Sequence, residues 1–366
     1  MRLRTLLTAL LALLLAACGA DEPIRIAFIG GLSERTNDTG ESGRNALILA
    51  IEQRNAAGGI NSRPLELVVG DDGQDPDTAR KAMSELLAAK PEVVVGPYTS
   101  SMAAAVLPLA DSAGVVLLSP VITALDFAGK DDMLIRLNRT TRDNARDYAR
   151  VLLARGQKRL AVAYDVRNRA FTESWLAELA AAYEGQGGEL VARVEFTSAA
   201  NTPFGEVAER LQAPSPDGIL FIAAAVDVAR LAQQVRKLSA DTPLSAVEWA
   251  STEQLLELGG RAVEGMLLAQ SHNREDTSPR FVAFRDAFRA RFQREPGYSA
   301  IATYDAAIVL FDALAKRGRG QPLKQAILDN APYPGLQHEI RFDRFGDSYR
   351  DIFFAEIRDG RFELVR

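Results

Sequence analysis

Short apolar runs alternate with stretches of helical periodicity along almost the whole chain, and this alternation limits the fold more than any other feature. Ile24 to Ile29 reads as a strand, Ala46 to Arg54 as a helix and Leu65 to Val69 as a strand again. Asp75-Pro76-Asp77 then opens a helix over Thr78 to Ala89, with a capping acid and a proline where the first turn tolerates one. Val93 to Val95, the helix Met102 to Ala113 and Val115 to Leu118 continue the series. The strands are short, β-branched and apolar without alternation, as strands buried on both faces of a parallel sheet must be. Strand and helix in strict turn predict a doubly wound α/β lobe.

A second series of the same kind begins near Arg142. Helices are expected at 144–155, 172–183, 204–211 and 227–238, and strands at 160–164, 190–196, 218–222 and 265–269. Phe281, Phe284, Phe288 and Phe292 follow at spacings of three and four, a core-facing helical stripe. Another helix is expected over Ala302 to Ala315. From Glu339 to Val365 the pattern changes to strand alternation, with Asp359-Gly360 as a hairpin turn. No linker separates the two series. The reading is therefore α/β: two doubly wound, Rossmann-like lobes joined by a multi-strand hinge. The first lobe is expected over 24–138 plus 270–330 and the second over 139–269 plus 331–366.

The N-terminus carries a different signal. Arg2 and Arg4 precede an apolar run from Leu6 to Leu15, the n- and h-regions of a signal peptide over residues 1–17. The run is too short for a membrane span of ~20 residues. Leu15-Ala16-Ala17-Cys18 resembles the bacterial lipobox, and Cys18 is the only cysteine. That resemblance implies acylation of Cys18 and a cell-envelope lipoprotein on the extracytoplasmic, periplasmic side. With one cysteine there is no disulfide framework, so the lobes are held by packing.

Much chemistry is missing. The net charge is −5 and no dense Lys/Arg run occurs, which argues against nucleic acid as a partner. His272 and His338 are far apart, and no Cys/His spacing suits a metal. There is no Gly-x-Ser-x-Gly elbow and no Walker-type loop, and Gly30-Gly31 lacks the other glycines of a dinucleotide fingerprint. Asp71-Asp72 reads as a strand-end acidic pair. No cofactor, no metal and no enzyme activity are expected.

Several separated motifs, in order, carry a family resemblance. They are Ala50-Ile51-Glu52-Gln53-Arg54-Asn55-Ala56-Ala57-Gly58-Gly59-Ile60 running on to Pro64-Leu65-Glu66-Leu67, then Asp71-Asp72 with Asp75-Pro76. Val95-Gly96-Pro97-Tyr98-Thr99-Ser100-Ser101 and Leu118-Ser119-Pro120-Val121-Ile122-Thr123 follow, then Glu264-Gly265-Met266 and Tyr304-Asp305-Ala306. The chain resembles the leucine/isoleucine/valine-binding proteins, the type I periplasmic solute receptors of ABC transporters. The resemblance implies a monomeric, lipid-anchored solute-binding protein that hands a small polar ligand, an amino acid or a close analogue, to a membrane permease.

Read on its own, Ser100 follows a strand and opens a helix, where hydroxyl and free N–H groups favour an anion or simply cap the helix. The resemblance implies that Ser100 and Thr123 hold the ligand carboxylate and that the Val121 carbonyl accepts from its ammonium. Glu248, sixteen residues before Glu264, stands at the family's spacing for the acid that meets the ammonium. The chain also departs from the pattern. Thr141 stands where the family has a second acid, with Asp143 two residues on. Phe171 and Ala224 or Ala225 replace cleft tyrosines, and Thr39 replaces a covering aromatic residue. Arg167 and Arg169 lie in a cleft loop, either as added positive charge or as a solvated pair. A branched aliphatic ligand is thus one option beside amides, urea-like solutes and small organic acids. A ligand-sensing subunit of a signalling receptor and a scaffold or activator of a cell-envelope enzyme are the rival roles for the same fold.

Overall fold

The computed structural model of the chain describes residues 22–33 and 38–365. The expected signal peptide and Cys18 lie outside the described residues. The first series folds as β1 (Ile24–Gly30), α1 (Thr39–Ala56), β2 (Leu65–Asp71), α2 (Pro76–Ala88), β3 (Val93–Val95), α3 (Ser100–Ala113), β4 (Val116–Ser119) and β5 (Leu134–Arg136). The five strands form a parallel sheet in the order β2-β1-β3-β4-β5. Its centre is fully covered: Val93, Val94 and Val95 expose nothing. Burying each such side chain contributes about 1.5–3 kcal/mol, which is why continuous apolar runs settle here. Asp75 caps α2 through Thr78 N at 2.8 Å, with Pro76 in the first turn.

The chain then crosses over and builds the second sheet. Its elements are α4 (Thr141–Ala154), β6 (Arg159–Asp165), α5 (Arg169–Glu184), β7 (Glu189–Phe196), α6 (Phe204–Gln212), β8 (Gly218–Ile222), α7 (Ala225–Leu238), β9 (Leu244–Ala246), α8 (Glu253–Gly259) and β10 (Leu267–Gln270). A second crossing returns it to the first lobe with α9 (Pro279–Phe292), α10 (Tyr298–Lys316), α11 (Leu323–Asp329), β11 (Tyr333–Pro334) and β12 (Glu339–Ile340). The third crossing leads to β13 (Phe353–Arg358) and β14 (Arg361–Leu364). The second sheet runs β14-β13-β10-β9-β8-β6-β7, with β13 and β14 antiparallel at its edge. The turn between them is Asp359-Gly360, both at positive φ, as a tight hairpin demands.

Phe281, Phe284 and Phe288 pack against Ala46 and Leu49 of α1 and Ala300 and Ile301 of α10, so the aromatic stripe is core. Helix α10 is long and apolar enough to cross a membrane, yet it is buried as the central helix of the first lobe. The segment 331–366, expected as one piece of the second lobe, is divided instead. Tyr333 and Ile340 are buried with Leu323 and Ile327 in the first lobe, and only β13 and β14 join the second sheet. Both pieces show strand alternation, so local pattern could not separate them.

The third crossing is pinned to the first lobe. Asp347 accepts from Arg136 Nε at 2.7 Å, and Arg350 donates to Asp305 at 2.6 Å in a fully buried ion pair. The two lobes are therefore joined by three adjacent passages of chain.

Candidate functional site

In the first sheet the chain steps from β1 to β2 on one side and then crosses from β2 to β3 on the other side of β1, so the winding reverses there. The crevice beyond the strand ends at such a reversal is where doubly wound folds bind ligands. The loops after β3 and β4 open there. Gly96 makes the approach possible: its φ is +115°, and a Cβ would lie 2.0 Å from the Ile29 carbonyl oxygen. Tyr98 comes next, seated against α1. A Cβ on Gly43 would lie 2.3 Å from its ring, and its hydroxyl lies 2.7 Å from Thr303 Oγ1. A rigid aromatic floor is thereby set beneath the crevice.

Ser100 is the first residue of α3, so its hydroxyl and the free N–H groups of the helix sit together. The Thr99 and Thr123 hydroxyls are buried without hydrogen-bond partners. Val121 and Ile122 complete the wall from the β4 loop. This side of the crevice carries the positive end of a helix and hydroxyl groups, a setting for an anion.

The second lobe faces it with an acid. Glu248 follows β9 and is 8% exposed. Its Oε1 accepts from Asn144 Nδ2 at 2.6 Å, while Oε2 is buried with no hydrogen-bond partner. Burial raises the Glu248 pKa above its ordinary value, against the pull of the Asn144 bond, the Trp175 indole and the Arg139 charge. The Trp175 N–H leans toward the carboxylate without meeting hydrogen-bond geometry, since its Nε1 also lacks a partner. A carboxylate so placed gains most from a cationic partner in the crevice. Trp249 and Phe171 stand edge to face beside it, with ring centroids 5.7 Å apart.

These groups converge on one cavity of ≈ 30 Å³. Five of the seven expected ligand residues line it: Ser100, Val121, Thr123, Phe171 and Glu248. The other two do not. Thr141 opens α4 and is buried, with its hydroxyl 2.7 Å from Ser174 Oγ. Thr39 is buried as the first residue of α1. Asp143 does not supply a second acid either, because it closes a capping box with Thr140 at 2.6 Å. Arg169 is exposed and paired with Glu173, and Arg167 reaches toward the Ser198 carbonyl at 3.5 Å; neither lines the cavity. Ala224 and Ala225 are buried at the start of α7 and do not line it.

Tyr98, Trp249, Tyr298, Asn138 and Asn168 also line the cavity and were not singled out from sequence. Trp249 adjoins Glu248 and Tyr98 sits in a quoted motif, so both had a signal. Tyr298 merely begins a helix, and Asn138 and Asn168 sit in loops. Among the described residues no cluster of His, Cys, Asp or Glu is arranged to hold a metal ion.

Comparison with known proteins agrees with this architecture. The sequence profile of the periplasmic binding protein family matches residues 23–361. A leucine-, isoleucine-, valine-, threonine- and alanine-binding protein of Pseudomonas aeruginosa is 26% identical over 90% of this chain and 88% of its own. The Leu/Ile/Val-binding protein of Escherichia coli K12 is 22% identical over 83% of this chain and 82% of its own. Among solved structures, a leucine-binding protein of Thermotoga maritima superposes with a TM-score of 0.85 at 21% identity, covering 94% of this chain and 98% of that one. A solute-binding protein of R. palustris in complex with benzoate shares the fold at 16% identity, with a TM-score of 0.83 over 94% and 95% of the two chains. Two wound lobes, three crossings and a polar crevice between them thus coincide with a profile match over nearly the whole described chain, and the protein belongs to the periplasmic binding protein family, in its type I, leucine/isoleucine/valine-binding-like branch: extracytoplasmic solute-binding proteins, not enzymes.

Proposed function

We propose that the chain is the lipid-anchored receptor of an ABC importer, working as a monomer, and that its solute is an α-amino acid or a close analogue. One observation carries the reading: Ser100 at the N-terminus of α3, Thr123 and Glu248, whose Oε2 has no hydrogen-bond partner, line one cavity between the lobes. A zwitterion complements that pair of poles. Its carboxylate meets the helix end and hydroxyls, and its ammonium meets Glu248 and the Val121 carbonyl. Charge-assisted bonds of this kind are about twice as strong as neutral ones.

Tyr98, Phe171, Trp249 and Tyr298 line the cavity and supply an apolar wall beside the charged groups. The Pseudomonas aeruginosa relative, whose name lists leucine, isoleucine, valine, threonine and alanine, supports an amino acid as the solute. The lipobox-like Leu15-Ala16-Ala17-Cys18 supports the anchor.

A thermal-shift panel of amino acids, amides and aromatic acids, followed by calorimetry, tests the reading. A ligand at 100 times its dissociation constant stabilises by about 2.7 kcal/mol. Amino acids are expected to give the largest shifts. Shifts confined to benzoate-like acids or amides would remove the zwitterion from the site.

A further inference from the structure

Helices α3 and α5 begin on opposite sides of the cleft, and neither is capped by its own N-cap side chain. Their caps are exchanged. Asn168, the N-cap residue of α5, accepts through Oδ1 from Ser101 N at 3.1 Å, the second N–H of α3. Ser101 Oγ in turn accepts from Ala170 N at 3.1 Å, the second N–H of α5. Each bond satisfies one of the donors that a helix leaves open at its start. Each is made only while the lobes are together. One turn further along α5, Ser174 Oγ accepts from Leu125 N at 3.1 Å, so the same helix edge meets the first lobe twice.

We propose that Ser101 and Asn168 are positioning residues of the clamp: a reciprocal cap across the cleft that holds the lobes shut and sets how long the solute stays. Ser101 is not among the cavity-lining residues, so it acts through closure rather than through contact with solute. Parting the lobes returns two helix N–H groups to water, and each bond is worth the net of one exchanged hydrogen bond. That corresponds to about 2- to 10-fold in the closed population per bond. The physical consequence is kinetic. Solute enters the open cleft before the caps form, so losing a cap speeds escape and leaves entry unchanged.

The latch has meaning only within the two-lobed clamp proposed above, and its test is arranged to separate the two. L-alanine is the probe, and Trp249 in the cavity wall supplies the fluorescence signal for stopped-flow mixing. Ser101→Ala is expected to raise the dissociation rate about 2- to 10-fold with the association rate unchanged, and Ser101→Thr, which keeps the hydroxyl, is expected to restore it. Asp75→Ala, which removes the cap of α2 inside the first lobe, is the control that lowers stability without moving either rate. Small-angle scattering of the ligand-free Ser101→Ala/Asn168→Ala variant is expected to show a larger radius of gyration than the unsubstituted protein. Unchanged dissociation in Ser101→Ala, or a rise that Ser101→Thr shares, overturns the latch. If L-alanine does not bind at all, the amino-acid reading fails and the scattering comparison alone decides: expansion supports the latch, and no expansion overturns it.

Discussion

Glu248 is a buried acid with one oxygen satisfied by Asn144 and the other by nothing in the protein. Its pKa is raised by burial above the ordinary 4.5. In the unliganded protein the folded state therefore holds its proton to higher pH than the unfolded chain does. Stability from this group is full below the ordinary value and declines as the pH rises through the window between the two. A bound ammonium reverses the preference, because it favours the ionised form. Amino-acid affinity is thus expected to fall as the pH is lowered toward 4.5, because the free protein then holds a proton that binding must release, as calorimetry at several pH values would record. Glu248→Gln removes that slope and weakens binding at pH 7.5 by about 1.5–3 kcal/mol, the range for a hydrogen bond to a charged group. Ser100→Ala is expected to cost less, since the backbone N–H groups of α3 persist. Glu248 was legible because a strand end and a spacing marked it. Asn144 was not, since nothing in the helical run around it distinguishes an inward amide from a solvated one.

Most elements were legible, and their errors of extent have causes. Helix α1 was expected from Ala46 to Arg54 but runs from Thr39 to Ala56. Gly40 and Gly43 lower helix propensity by about 1 kcal/mol each and hide its first turns. Their presence is a packing requirement: a Cβ on Gly40 would lie 2.2 Å from the Gly31 carbonyl oxygen, and one on Gly43 would strike Tyr98. The strand expected at 265–269 begins at Leu267, because Gly265 takes a positive φ that no strand continues through. Helix α4 offers a test of an element by itself. Thr140 and Asp143 form a capping box at its start, so Thr140→Ala is expected to lower unfolding stability by about 0.5–2 kcal/mol in urea titration, with amino-acid affinity unchanged. A loss of affinity there would mean that α4 moves with the ligand.

For the whole molecule, three passages of chain join the lobes, and ligand favours a shut form only to the extent that it binds that form better. Scattering is expected to show contraction on adding a bound amino acid; an unchanged radius would argue against a clamp. Cys18→Ser is expected to move the protein from the membrane fraction to the soluble fraction, with mass spectrometry showing loss of the acyl groups. The sequence by itself determined two wound α/β lobes and the succession of most of their strands and helices along the chain, because periodicity is a local property, and its ordered motifs marked the loops that reach the crevice through the family resemblance. Which tail segment joins which lobe, that Tyr98 bonds Thr303 from 205 residues away, that Tyr298 and Asn168 close the cavity and that two helices exchange caps were decided only in the folded molecule. Those contacts depend on how one lobe meets the other, and the packing of separate surfaces leaves no period in the chain that makes them.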